Sequence, residues 1–155
     1  MSDKAELFES LLKGIKLIVG SPGARDNRLQ GICKVLAESI EHYDWVGFYI
    51  ADAAGRELTL GPYVGEPTEH TKIPFGSGIC GQAAEDRETF VVQDVSKETN
   101  YLACSPLVKS EIVVPIFKGD EVAAELDIDS QTLSPFTDEE KEFLEEVCRI
   151  VSGLF

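Results

Sequence analysis

Ser110-Glu111-Ile112-Val113-Val114-Pro115-Ile116-Phe117-Lys118-Gly119-Asp120-Glu121-Val122-Ala123-Ala124-Glu125-Leu126-Asp127-Ile128-Asp129-Ser130 is the stretch from which the rest of the chain can be placed. Two apolar-rich runs, Glu111 to Phe117 and Glu121 to Ile128, flank Gly119-Asp120, a pair suited to a tight hairpin turn. In the second run Glu125, Asp127 and Asp129 alternate with Leu126 and Ile128, so the three carboxylates share one strand face. Pairing across the turn sets Glu111 opposite Asp127 or Ile128, according to register. If Glu111, Asp127 and Asp129 converge, their like charges raise at least one pKa and create a proton donor near neutral pH. The competing reading is a solvated face, which is ordinary for an antiparallel sheet.

Working outward, Ser134-Pro135 breaks the chain and Thr137-Asp138-Glu139-Glu140 forms a capping box. The helix it opens carries Phe143, Leu144, Val147, Ile150, Val151 and Leu154 on its apolar face, with Cys148 beside them. Upstream, Phe90 to Val92 is a short strand and Asp94 to Tyr101 a polar loop. Gly78 to Asp86 favours a short helix with Cys80 in its first turn, where free N–H groups and the helix dipole favour a thiolate. Ile73-Pro74-Phe75 is extended, and residues 65 to 72 read as an exposed loop or pocket lid.

Asp44 to Ala51 reads as a strand with Trp45, Gly47 and Tyr49 on one face and Val46, Phe48 and Ile50 on the other. It pairs through the Asp52-Ala53-Ala54-Gly55 turn with Glu57 to Val64. Two helices precede it. Leu7, Leu11, Ile15 and Ile18 mark the first, over residues 3 to 19, with Ser2 or Asp3 as N-cap. Leu29, Ile32, Cys33, Leu36 and Ile40 mark the second, after Asp26, so Cys33 is expected as a buried small hydrophobe. The order predicts an α+β fold, with a central antiparallel sheet covered by the terminal helices.

A length of 155 residues, a hydrophobic fraction of 43% and eight Phe suit one domain with one core. The net charge of −14 argues against nucleic acid or an anionic membrane as partner. No run is long and apolar enough to span a bilayer, and the N-terminus lacks a basic start and apolar core. A cytoplasmic location is therefore expected, where structural disulfides are rare. Four cysteines without a Cys-x-x-Cys, and two scattered histidines, give no zinc spacing. Cys104 follows Asn100 and Tyr101 in a polar loop, the better setting for a reactive thiol.

Ile73-Pro74-Phe75-Gly76-Ser77-Gly78-Ile79-Cys80-Gly81-Gln82-Ala83-Ala84, Asp94-Val95, Leu102-Ala103-Cys104, Ser110 to Pro115 and Leu126 to Ser130 together resemble the free methionine-(R)-sulfoxide reductases, stand-alone GAF-domain enzymes. Trp45 to Tyr49 and Leu60-Gly61-Pro62 extend the resemblance across nearly the whole chain. It implies a single GAF-like domain over residues 1–155, with helices on one sheet face and a ligand pocket on the other, often as a homodimer. It also implies that Cys104 attacks the sulfoxide sulfur, and that Cys80 resolves the resulting sulfenic acid as a disulfide. Glu111, Asp127 and Asp129 would hold the amino acid and the sulfoxide oxygen, and Trp45 and Tyr49 would line the pocket near the methyl group. His70 and Tyr101 are further candidate pocket residues. No bound cofactor is implied, only an external thioredoxin-like dithiol.

Three positions depart from the family pattern. His70 stands where a further cysteine is usual, Ser105 follows Cys104 in place of an acid, and Glu125 replaces a small or apolar residue. Three readings are compatible with these residues: a two-cysteine reductase, a sensor or binding module for a small amino-acid-like ligand, and a redox switch through a Cys80–Cys104 disulfide.

Overall fold

The computed structural model describes residues 2–102 and 105–155, so Ala103 and Cys104 lie outside the described residues. Helices α1 (Asp3–Gly20) and α2 (Arg25–Ser39) come first, followed by strands β1 (Trp45–Asp52), β2 (Glu57–Val64) and β3 (Lys72–Pro74). Helix α3 (Gly78–Asp86) and strand β4 (Phe90–Val92) lead to β5 (Ser110–Lys118), β6 (Glu121–Ser130) and helix α4 (Asp138–Val151). The strands form one sheet in the order β3-β2-β1-β6-β5-β4. Every neighbouring pair is antiparallel. This is the α+β architecture that the element order predicted.

The sheet divides the apolar side chains into two clusters. On one face Val46, Phe48, Ile112, Val114, Ile116, Ala124, Leu126 and Ile128 pack against α1, α2 and α4, and Cys33 and Cys148 are buried among them. Burial pushes the Cys33 thiol up to about 12, so it behaves as the small hydrophobe expected of a helix stripe. On the other face Tyr49, Leu58, Ile73 and Val113 pack under α3 through Ile79, Cys80, Ala83 and Ala84.

Register is the detail that sequence alone did not settle. Near the turn Lys118 faces Glu121 and Phe117 faces Val122, but the next pair is Ile116 with Ala124. Ala123 is therefore the extra residue of a β-bulge. Beyond it Glu111 faces Asp129, neither of the two expected partners, Asp127 and Ile128. An unbulged hairpin would set Glu111 opposite Ile128 and put it on the helix-covered face. With the bulge, Glu111 and Asp129 are cross-strand neighbours on the same face.

The terminal helices are held by a polar knot. Thr137 caps α4 by accepting from the Glu140 backbone N–H while the Glu140 carboxylate accepts from the Thr137 N–H, as the capping box required. Fully buried Glu140 also lies 2.6 Å from His42 Nε2 and accepts from the Tyr43 hydroxyl at 3.2 Å. Burial works against its charge, but the His42 and Thr137 hydrogen bonds, with the charges of His42 and Lys4, hold it below its ordinary 4.5.

Thr137→Ala is expected to destabilise the chain by about 1 kcal/mol in urea unfolding, the usual cost of a lost N-cap. A carboxylate with a depressed folded pKa contributes stability that is present above its unfolded value and lost as pH falls through the folded one. Wild-type stability should therefore fall below about pH 4.5 more steeply than that of Glu140→Gln, read from urea midpoints across the acid range.

Candidate functional site

The central strands present one continuous polar face. Trp45, Gly47 and Tyr49 on β1 stand opposite Asp129, Asp127 and Glu125 on β6, and across β6 lie Glu111, Val113 and Pro115 on β5. Glu111, Glu125, Asp127 and Asp129 are all buried, at 4%, 0%, 1% and 1% exposure, so the solvated-face reading is excluded. Gly47 is required here: a Cβ would stand 2.4 Å from the Trp45 ring that lies across it.

Helix α3 covers these acids, and its N-terminus is tied to the loop that follows β4. Gly78 takes φ +63, and a side chain there would collide with Leu102. Its N–H donates to Asn100 Oδ1 at 2.8 Å, and Asn100 Nδ2 donates to the Gly76 carbonyl at 2.8 Å. Gln82 Nε2 adds bonds to the carbonyls of Gly78 and Asn100. This clamp fixes the first helical turn, so Cys80 Sγ points at Glu111 Oε2 from 3.8 Å.

The residues singled out in the sequence are brought together unequally. Tyr49, His70, Cys80, Glu111 and Asp127 line one cavity with Ile73, Ser77, Gly78, Ile79 and Leu102. Its volume is about 10 Å³, room for about one water molecule. The Tyr49 hydroxyl donates to the His70 carbonyl at 2.9 Å and closes that side. Trp45 and Asp129 open instead on an adjoining cleft of about 40 Å³, with Glu66, Leu107 and Gln131. The Trp45 indole stacks on Tyr63 and donates to the Glu66 carbonyl at 3.0 Å. Half-buried Tyr101 packs against the second cluster and is not among the lining residues. Cys104, expected as the attacking thiol, falls outside the described residues, and so does the Cys80–Cys104 pairing.

The electrostatics correct one expectation. Cys80 occupies the first turn of α3 as foreseen, yet its thiol is pushed well above its ordinary value rather than toward a thiolate. Burial is the main cause, followed by the negative charges of Asp127, Glu111, Glu125 and Asp129. A single helix turn cannot offset four carboxylates. Burial likewise raises Asp127, opposed by hydrogen bonds to Glu111 and Cys80; the upward direction is the one expected, but its cause is burial rather than the like charges of Glu111 and Asp129. One atom each of Cys80, Glu111 and Asp127 lies within 4.8 Å of the others, a spacing suited to a shared cation.

Sequence reasoning passed over Asn100, Gln82 and Leu102 as site builders. Their roles depend on the approach of a loop to α3, which no local periodicity encodes. A larger groove of about 570 Å³ lies between β5 and α4. It mixes Arg87, Lys141 and Arg149 with Glu88 and Glu145, and it includes Cys148 but neither Cys80 nor the four acids of the site.

The model of the GAF domain matches residues 25–153. GAF domain-containing protein A of Dictyostelium discoideum is 36% identical, over 97% of this chain and 93% of its own length. Free methionine-R-sulfoxide reductase of Saccharomyces cerevisiae is 34% identical, over 97% of this chain and 86% of its own. The crystal structure of the Neisseria meningitidis free methionine-R-sulfoxide reductase with its substrate superposes with a TM-score of 0.93 at 38% identity, covering 100% of this chain and 92% of that one.

Glu125 gives the site a pH signature. Both of its oxygens lack a hydrogen-bond partner among the described residues, and burial, then the Asp127 charge, raises it well above 4.5. An acid with a raised folded pKa contributes stability that is lost as pH rises from its unfolded value through the folded one. Glu125→Gln should therefore gain stability over wild type as pH rises from about 5 to about 8, read from urea midpoints. A constant difference across that range would contradict a buried, unpaired carboxyl.

Proposed function

The chain belongs to the GAF-domain family and is closely related in structure to free methionine-R-sulfoxide reductases, and on that premise we propose that its acid-lined cavity binds free methionine-(R)-sulfoxide and that Cys104 reduces it. The observation that carries the reading is the buried group of Cys80, Glu111 and Asp127 under α3, with Asp129 beside it. Buried carboxylates accommodate the ammonium of a free amino acid, and a retained proton serves a sulfoxide oxygen. A cavity of about 10 Å³ is too small for an amino acid, so binding requires the loop segments that carry His70 and Leu102 to yield.

In the proposed cycle the Cys104 thiolate attacks the sulfoxide sulfur. The oxygen takes one proton from the acid group, the S–O bond breaks as the hydroxyl passes to the Cys104 sulfur, the transient bond between the two sulfurs breaks, and methionine leaves with Cys104 as a sulfenic acid. The substrate sulfur gains two electrons and the cysteine sulfur loses them. Cys80, already hydrogen-bonded to Glu111, gives up its proton and condenses with the sulfenic acid, releasing water and forming a disulfide. An external thioredoxin-like dithiol returns both thiols. The homodimeric unit and the resolving role of Cys80 come with the resemblance. His70 in place of the usual extra cysteine leaves Cys80 as the resolver.

One observation favours a second reading, a sensor or binding module without turnover. Cys80 is the sole cysteine lining the cavity among the described residues, and its thiol is held protonated. The two readings separate cleanly. Reduced protein, methionine-(R)-sulfoxide, a thioredoxin system and NADPH should give NADPH loss that falls at least about a hundredfold in Cys104→Ser. Turnover no greater than that variant's, with calorimetric binding that Glu111→Gln weakens about tenfold, would leave the binding module. Absence of both turnover and binding would overturn the proposal.

A further inference from the structure

We propose that Cys80, Glu111 and Asp127 form a binding site for a thiophilic divalent cation of the zinc class. The three residues come from α3, β5 and β6, and their donor atoms lie within 4.8 Å of one another. A zinc ion about 2.3 Å from a sulfur and about 2.0 Å from an oxygen, at a tetrahedral angle, separates the two by about 3.5 Å. Cys80 Sγ and Glu111 Oε2 already stand 3.8 Å apart. Asp127 supplies an independent sign of an expected ligand. Its side chain is 1% exposed and lines the cavity, and its Oδ1 has no hydrogen-bond partner among the described residues. A buried carboxylate oxygen left in that condition is costly unless a cation or donor occupies the space before it.

Size and charge fit a metal ion. The space of about 10 Å³ takes one water-sized particle. The lining includes neither lysine nor arginine, so the residues shown around the cavity offer no permanent positive charge to the acids. One thiolate and two carboxylates supply the three protein ligands of an open tetrahedral zinc site. On binding, the Cys80 thiol releases its proton to solvent and the sulfur–metal bond replaces the sulfur–hydrogen bond. The sequence carries no zinc spacing because the ligands are assembled across the hairpin and the covering helix, with Cys80 and Glu111 31 residues apart. A cation here occupies the space meant for the polar part of an amino acid and withdraws Cys80 from thiol chemistry. Competition with methionine-(R)-sulfoxide rests on the function proposed above, whereas the metal site itself does not.

Cobalt(II) is the probe, titrated into the full chain under a non-thiol reductant. A sulfur-to-cobalt charge-transfer band should develop in wild type and in Cys104→Ser, disappear in Cys80→Ser, and be bleached when zinc displaces cobalt. Should Cys80→Ser fold poorly, alkylation of Cys80 in the wild type, mapped by peptide mass, should slow at least about tenfold with zinc. No band in wild type, a band that survives Cys80→Ser, or an alkylation rate indifferent to zinc would overturn the site. Binding of methionine-(R)-sulfoxide, measured separately with a chelator present, is unaffected by any of those failures.

Discussion

One extra residue on β6 determines which side of the sheet carries chemistry. Side chains alternate along a strand, so a shift of one position moves every later residue to the opposite face. The Gly119-Asp120 turn on its own sets Glu111 against Ile128. Ala123 bulges out of the ladder, and Glu111 is carried round to face Asp129. The helices depend on the same shift. Ile112, Val114 and Ile116 reach the core under α1, α2 and α4 because their neighbours Glu111, Val113 and Pro115 turn the other way. Fold and site thus share a single geometric condition.

The second condition is electrostatic. Four carboxylates and a thiol are buried on one face, and burying charge of one sign without compensation is unfavourable. The protein meets this by retaining protons. Cys80, Glu125 and Asp127 are all pushed toward their neutral forms. The site is therefore a store of acidic protons beneath a helix, and it gains from any ligand that brings a positive charge. The helical side handles its buried acid in the opposite way, giving Glu140 a histidine, a tyrosine and a helix cap, so that it remains charged.

Most of the architecture could be read from the sequence. Alternation in β1 and β6, the capping box of α4 and the glycine-rich start of α3 are local signals, and each element formed where its signal lay. The acid group on Glu111, Asp127 and Asp129 was legible as a set of candidates. What sequence did not show was long-range. The bulge depends on how two strands pair, not on the identity of Ala123. The raised Cys80 thiol depends on acids contributed by other elements, which outweigh the local helix turn. The splitting of Trp45 and Asp129 from the Tyr49 and His70 cavity depends on how the loops after β2 and β4 close over the sheet.

The bulge has a further consequence, visible in the residue numbers themselves. On the central strands every residue facing the site is odd-numbered: 45, 47 and 49, then 111, 113 and 115, then 125, 127 and 129. Their even-numbered neighbours face the three large helices. Parity therefore sorts inherited variation. Even positions answer to packing density and tolerate only substitutions of similar shape. The odd positions that carry the acids lie outside both apolar clusters, so the ligand chemistry there can change while the scaffold persists. Glu125, buried with no hydrogen-bond partner for either oxygen among the described residues, occupies one such position.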